Sequence, residues 1–383
     1  MLLIKNAYVK PIVGDDIENG CVLIGDDGKI VEVGNNIDTP QGAELIDAGG
    51  RLVTPGLVDG HCHLGMENRH EKINVDHNEK SDPITPQLRT IDSFNPFDPA
   101  IKLAVKGGVT TVCTGPGSAN VIGGSFAAIK LYGKRVDNMV LKHPLAMKCA
   151  FGENPKNFYG QQGRKAPYTR MGLAALIREF LYKADDYANA KRTGKDVPFD
   201  MKLDAMVPVM NGDIPLKAHA HRADDIFTAI RIAKEFNLKL TLDHCTEGHL
   251  IADELGKENY CALVGPNFGI PSKSELLNKS FETAGKLYAE GICVSIITDS
   301  PVIPQERLAF CAGLAASEGL PMDEAWKAIT INPSIATGIS DRVGSLEKGK
   351  DGDVVIWNDN PLTTIGAKVY MTIIDGKIVY SCN

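Results

Sequence analysis

The chain has 383 residues, of which 43% are hydrophobic and 23% charged, a composition that is ordinary for a globular protein. The net charge of −7, with lysine and arginine scattered along the chain, argues against a nucleic-acid partner. We find neither a long apolar stretch nor a signal peptide, so we expect no membrane partner.

The cysteines point to a reducing compartment. They are nine, an odd number, and they show no CxxC spacing. Most of them lie in apolar runs that look like strands. This pattern predicts buried, reduced thiols in a cytoplasmic protein rather than a disulfide framework.

The two ends of the chain have the same sequence pattern, which is typical of β-strands. DDGKIVEVG near the start and IDGKIVYS near the end each place an Asp-Gly turn before alternating apolar and polar residues, which is typical of a hairpin. Chain ends often lie close together. We therefore predict one small β-sandwich domain formed from both termini, residues 1–54 plus 345–383.

Residues 55–344 alternate short apolar strands with helical stretches. Helices are predicted near 98–108, 170–194, 223–237 and 277–291. Alternation of this kind indicates parallel strands with crossover helices, and about eight strand candidates fit a distorted (β/α)8 TIM barrel of the α/β class. The segment 115–142 fits a helix, a hairpin or a third strand with an insertion.

Side chains that could bind a metal follow several of these strands. In a parallel barrel, active groups collect at the carboxyl ends of the strands. The candidates at those ends are His61, His63, Glu153, His219, His221, His244 and Asp299. Imidazole and carboxylate groups together form the ligand set of divalent metals such as zinc. Because burying so many polar groups without partners is costly, we predict a metal site.

Five motifs, in this order, resemble those of the amidohydrolase superfamily, and in particular its imidazolonepropionase-like and Xaa-Pro-dipeptidase-like branch. They are TPGLVDGHCHLG, GGVTTVCTG, KAHAHRADD, LDHCTEG and TDSP. The tail GISDRVGSLEKGKDGDVVIWNDNP is similar to the stretch by which these enzymes leave the barrel. The resemblance implies a barrel that holds one or two divalent ions, with zinc as the expected metal.

The resemblance also assigns roles to single residues. His61 and His63 would bind the more buried ion, His219 and His244 the second, and Asp299 would sit beside the attacking water. Within KAHAHR, we take His219 as the ligand and leave His221 as a substrate contact, although the reverse assignment stays open.

The ligand from the fourth strand has two candidates. Lys148 could bridge the ions as a carboxylated lysine, whereas Glu153 lies at the strand end and needs no modification. We favour Glu153 and otherwise place Lys148 among the substrate-binding residues. If neither reaches the site, one ion binds.

The chemistry that follows is hydrolysis of an amide-type C–N bond in a cyclic amide, an N-acyl amino acid or a dipeptide. Asp299 would carry the proton, and His221 would help to hold the oxyanion. The remaining substrate contacts, for a carboxylate, are predicted from Tyr159, Arg222 and the basic residues 164–165, with solvated loop charge as an equal alternative.

Two other functions compete. A ring deaminase of this superfamily would carry a glutamate three residues after the fifth-strand histidine, but Arg222 follows His219 at that distance and Asp224 follows His221. A non-catalytic assembly protein would be expected to have lost ligands, yet all five main ones are present. We therefore expect an enzyme with a small-molecule substrate, and the sequence permits a homo-oligomer.

Overall fold

A computed structural model describes residues 1–67, 75–163 and 166–382. In chain order the strands are β1 (Leu2–Val9), β2 (Ile17–Ile24), β3 (Ile30–Asn35), β4 (Glu44–Asp47), β5 (Leu52–Pro55), β6 (Leu57–Cys62), β7 (Val109–Thr114), β8 (Ile122–Lys130), β9 (Val140–Ala150), β10 (Leu216–Ala220), β11 (Leu240–His244), β12 (Cys261–Val264), β13 (Val294–Ile296), β14 (Val354–Trp357), β15 (Val369–Ile374) and β16 (Lys377–Ser381). They form two eight-stranded sheets.

The helices of the described residues are α1 (Pro99–Lys106), α2 (Glu153–Pro155), α3 (Arg170–Arg192), α4 (Met201–Met210), α5 (Ala223–Glu235), α6 (Ala252–Leu255), α7 (Glu282–Ala289), α8 (Leu308–Ser317), α9 (Met322–Lys327) and α10 (Ile331–Thr337). A π-helical segment, Lys156–Gln162, continues α2. The four predicted helices correspond to α1, α3, α5 and α7. Within the described ranges, no helix is long and apolar enough to cross a membrane.

One sheet joins the two ends of the chain. Its strands run in the order β16-β15-β14-β5-β1-β2-β3, with β4 beside β1. Both predicted hairpins, β2–β3 and β15–β16, are antiparallel pairs, and Gly28 and Gly376 adopt the positive φ that their tight turns require. The domain boundaries at 54/55 and 344/345 stay a prediction.

The second sheet curls into a nearly closed barrel in the order β13-β12-β11-β10-β9-β8-β7-β6. Backbone bonds just beyond the strand ends help to close it: the Asp299 N–H donates to the His61 carbonyl at 3.2 Å, and the His63 N–H donates to the Ser300 carbonyl at 2.8 Å. The predicted fold class, a distorted barrel with a small β domain from both termini, is confirmed.

The barrel departs from the predicted parallel order at one strand. β8 runs antiparallel to both β7 and β9, so the segment left open in the sequence forms a hairpin. Only residues 131–139 separate β8 from β9, fewer than the dozen or so that a parallel crossover needs. This arrangement brings the last four residues of β9, 147–150, beside β10, and Lys148 is among them.

Lys130 ties the barrel to the terminal sheet. It ends β8, its side chain is 6% exposed, and its Nζ lies 2.7 Å from Asp353 Oδ2. The carboxylates of Asp351 and Asp375 each lie 2.9 Å from the same Nζ. Burial would lower the pKa of Lys130, but the three carboxylates outweigh it and raise that pKa above its usual value. The ammonium is therefore a permanent charge at the contact between the two sheets.

We expect Lys130→Met to lower the free energy of unfolding by about 3–5 kcal/mol, because it leaves the buried carboxylate of Asp353 without its counter-ion. Urea-induced unfolding at neutral pH measures this loss. Lys102→Met, on the exposed face of α1, is the matched control and should unfold like the wild type. An equal, small effect of both substitutions would contradict the role assigned to Lys130.

Candidate active site

The carboxyl end of the barrel brings together six of the seven residues that the sequence placed at strand ends, all except Glu153. The ring centroids of His61 and His244 lie 5.2 Å apart, and those of His219 and His244 lie 4.4 Å apart. His63 Nε2 lies 3.2 Å from Asp299 Oδ1, and His61 Nε2 lies 3.5 Å from the same oxygen. Side chains that are more than two hundred residues apart in the chain thus form one cluster.

Two groups of potential ligands emerge within the described part of the chain. One contains His61, His244 and Asp299, and the other contains His219, His221 and His244. In each group the donor atoms lie within 4.8 Å of one another. Since His244 belongs to both, the groups are adjacent, and His221 is as close to the cluster as His219.

Backbone carbonyls fix the orientation of two of the imidazoles. His63 Nδ1 donates to the Gly115 carbonyl and His244 Nδ1 donates to the Gly265 carbonyl, both at 2.7 Å. A carbonyl only accepts, so the proton lies on Nδ1 and the Nε2 lone pair is free. His244 Nε2 is buried and has no hydrogen-bond partner among the residues that the structure describes. A bound cation would satisfy this nitrogen, as in metal-ligating histidines held by an outer acceptor.

The backbone at two of these residues is in the left-handed region. His244 has a φ of 78° and Asp299 a φ of 51°. Residues other than glycine adopt this conformation at a cost in conformational energy. Such strain is concentrated at functional sites, where the surrounding structure maintains it. Here it accompanies the turn of each strand end toward the cluster.

Burial and neighbouring charges keep the imidazoles neutral. Burial is the main cause that lowers the pKa of His61 and His219, and it lowers the pKa of His244 to about 4. Burial would raise the pKa of Asp299, but the nearby imidazoles outweigh it, so that pKa lies below its usual value. Neutral imidazoles and an ionised carboxylate are the protonation states that metal ligands need.

Lys148, rather than Glu153, contacts the imidazole cluster. Lys148 is fully buried on β9, and its Nζ lies 3.2 Å from His61 Nε2. Burial, the largest cause, lowers its pKa to about 8. Glu153 is half-buried at the start of α2, where its backbone N–H donates to Glu275 Oε2 at 2.9 Å, and it belongs to neither ligand group.

The predicted substrate contacts lie apart from the cluster. The buried Tyr159 hydroxyl lies 2.8 Å from the Glu79 carbonyl and 2.9 Å from the Asp82 carbonyl. It therefore connects the π-helical segment to the loop that contains these two residues. The Arg222 guanidinium forms a two-bond contact with Asp224 at 3.0 Å and 2.9 Å. These contacts favour structural roles, and substrate binding by either residue stays a prediction. Residues 164–165 lie outside the described residues.

A cavity of about 860 Å³ opens above the cluster. His63, His219, His221 and Asp299 line its floor. Its walls include Glu67, His77, Asn154, Phe158, Phe268, Lys273 and Lys279. The sequence analysis missed these wall residues because most of them lie in loops, where no strand or helix period marks them.

His77 is the clearest of the missed residues. Its ring stacks on His63 with a centroid distance of 5.3 Å. Burial is the main cause that lowers its pKa to about 3, so the ring is neutral and packs as a planar wall.

A second missed residue, Glu275, lies behind His219 and His221, the histidines at the end of β10. Its Oε1 is 3.7 Å from His221 Nε2, 3.9 Å from His219 Nε2 and 2.5 Å from Lys273 Nζ. Burial would raise its pKa, but Lys273 outweighs that effect and lowers it. An ionised carboxylate therefore anchors the loop after β12 beside the cluster.

Comparisons with known proteins agree with this architecture. The model of the amidohydrolase family matches residues 203–379. A crystal structure of an amidohydrolase from Thermotoga maritima superimposes with a TM-score of 0.95 and is 39% identical, over the full length of both chains.

Curated relatives extend the match. Amidohydrolase tasK of Hapsidospora irregularis is 30% identical over 422 residues, covering 98% of this chain but only 42% of that protein. This chain therefore spans less than half the length of tasK. Imidazolonepropionase of Bacillus velezensis is 26% identical over 373 residues, covering 86% of this chain and 81% of that one. The chain belongs to the amidohydrolase superfamily, in its imidazolonepropionase-like branch, as the sequence predicted.

Proposed function

We propose that this hydrolase of carbon–nitrogen bonds depends on a divalent metal ion, with zinc as the expected metal, and cleaves an amide-type bond in a small molecule. The substrate class is a cyclic amide, an N-acyl amino acid or a dipeptide. One observation carries the proposal: two ligand groups share His244, whose Nε2 is buried and finds no hydrogen-bond partner in the described part of the chain.

The residues present fit such an ion. His61, His219, His244 and Asp299, which belong to the two ligand groups, would hold one ion or two. His63, whose Nε2 lies 3.2 Å from Asp299 Oδ1, would join them. When bound, the ion supplies a Lewis acid that polarises the substrate carbonyl and lowers the pKa of water. The neutral imidazoles of His61, His219 and His244 need no change of protonation before they bind it.

The side chains of the protein divide the remaining work. Asp299 remains ionised and lines the cavity, so it can accept a proton from the attacking water and return it to the leaving nitrogen. His221 also lines the cavity, and its Nδ1 lies 2.7 Å from the Thr246 hydroxyl. If that hydroxyl donates, the His221 proton lies on Nε2, where it can donate to the developing oxyanion.

Ring deamination is less favoured. The position of the glutamate that deaminases use, three residues after His219, is held by Arg222, and its guanidinium is engaged by Asp224. By contrast, a cavity of about 860 Å³ is ample for a dipeptide or a substituted lactam. Its walls offer Lys279 as a cationic contact for a carboxylate, whereas Lys273 is already paired with Glu275.

A screen of N-acyl amino acids, dipeptides and lactams tests the proposal, using protein whose metal content has been measured. We expect at least one bound divalent ion per chain and hydrolysis of one of these classes. Chelation should abolish the hydrolysis and added zinc should restore it. Metal-free protein that is fully active, or metal-loaded protein inert toward all three classes, would refute the proposal.

The choice between Lys148 and Glu153 as a metal ligand is tested by exchanging each. Lys148→Ala should lower the metal affinity at least as much as the loss of a residue that hydrogen-bonds to a ligand, which costs about 10–100-fold. Glu153→Gln, the matched control, should bind metal like the wild type. Equilibrium dialysis against zinc measures both, and the reverse ranking would return the role to Glu153.

A further inference from the structure

A buried ion pair lies behind His61. Lys217 Nζ is 3.1 Å from Asp243 Oδ1, and both side chains are fully buried. Lys217 precedes His219 by two residues on β10, so the alternation of the strand places both on the same face. Asp243 directly precedes His244 on β11. The mechanism above uses neither residue of the pair.

The two oxygens of Asp243 have separate partners. Oδ1 contacts Lys217 and accepts a hydrogen bond from the Thr241 hydroxyl at 3.2 Å. Oδ2 lies 2.8 Å from His61 Nδ1. Because Oδ1 is held from two sides, the carboxylate cannot rotate freely, and Oδ2 is presented to the imidazole.

The facing atoms have no alternative partner. His61 Nδ1 and Asp243 Oδ2 are both buried, and among the described residues neither forms a well-directed hydrogen bond, with the other or with a third group. Buried polar atoms are rarely left unsatisfied. With the proton on Nδ1, the imidazole turns an N–H rather than a lone pair toward the carboxylate 2.8 Å away, which avoids repulsion between two lone pairs. Nε2 is then the lone-pair nitrogen, 3.5 Å from Asp299 and 3.2 Å from Lys148.

We propose that Lys217 is a positioning residue, which holds Asp243 so that the proton of His61 stays on Nδ1 and His61 Nε2 stays free for a cation. The tautomer part of this inference stands by itself, and only its consequence for metal affinity rests on the proposed function.

Lys148 cannot replace Lys217 in this role. Its Nζ is 4.0 Å from Asp243 Oδ2, on the side of the oxygen that faces His61. Both ammonium groups approach the ring of Phe126, at 5.4 Å for Lys217 and 5.6 Å for Lys148. Without Lys217, the buried carboxylate loses its nearest charge partner and no longer has a fixed orientation.

Histidine tautomers in metal-free protein provide the test. Long-range ¹H–¹⁵N correlation spectra of protein labelled with ¹⁵N-histidine distinguish the two neutral forms, and His61→Asn identifies the signal. We expect the Nδ1–H form of His61 in the wild type and a mixture in Lys217→Met. Zinc affinity, measured by competition with a chelator, should fall by about 10–100-fold in Lys217→Met. Lys217→Arg should recover part of both.

Lys130→Met is the matched control, because it also removes a buried lysine from a carboxylate but far from His61. It should lower stability and leave the His61 signal and the zinc affinity unchanged. Asp243→Asn serves as the second variant if Lys217→Met does not fold, and the same changes are expected from it.

An Nδ1–H tautomer and a zinc affinity that both persist in the folded variant would overturn the inference. If the wild type binds no divalent ion, the proposed function fails, while a tautomer shift in metal-free Lys217→Met still supports the role of Lys217.

Discussion

Replacing Asp299 by Asn is expected to lower kcat by about 10²–10⁴-fold, the usual contribution of a positioned acid–base group. The amide has nearly the same shape as the carboxylate but cannot accept a proton from water. The backbone contacts of Asp299, including its N–H bond to the His61 carbonyl, do not involve the side chain and should persist. Steady-state kinetics with a substrate from the screen, together with circular dichroism, measures both parts.

Glu67→Gln is the matched control for this substitution. Glu67 is the other described carboxylate that lines the cavity. Its Oε2 lies 3.3 Å from His77 Nδ1, and it belongs to neither ligand group. We expect this variant to retain most of the activity. Asp299→Asn protein that is folded, metal-loaded and as active as the wild type would rule out Asp299 as the proton carrier.

The strand ends could be predicted from the sequence because a local pattern marks them. An apolar run that ends in a histidine or an aspartate indicates the carboxyl end of a barrel strand, and His61, His219, His244 and Asp299 all follow such runs. Their convergence required only the assumption of a closed barrel, which the structure supports.

The residues behind these ligands leave no such mark. Lys217 and Asp243 lie inside strands, where a charged residue usually indicates an exposed face, and only the tertiary structure pairs them. Glu275 and His77 lie in loops whose course depends on the rest of the fold.

The fourth-strand ligand and the direction of β8 were ambiguous for a related reason. The depth at which Lys148 meets His61 depends on the register between β9 and its neighbours, which hydrophobic alternation alone does not fix. The apolar run of β8 fits a parallel strand as well as an antiparallel one, because every residue of it is buried.

The double substitution of His61 and His63 by alanine should have the largest effect on metal binding. It removes two imidazoles from one face of β6, and His61 and His63 both contact Asp299. Each loss should reduce the affinity at least as much as losing an outer partner, which alone costs about 10–100-fold. We therefore expect little zinc to remain after dialysis, measured by elemental analysis, and no turnover.

His143→Ala is the control that separates loss of ligands from a general effect of removing histidine. His143 lies on β9 with its Nε2 2.9 Å from the Ser125 hydroxyl and belongs to neither ligand group. The control should retain the wild-type metal content. If the double variant is folded and also retains the wild-type metal content, His61 and His63 do not hold the ion. The cation would then have to be held by His219, His221 and His244 alone.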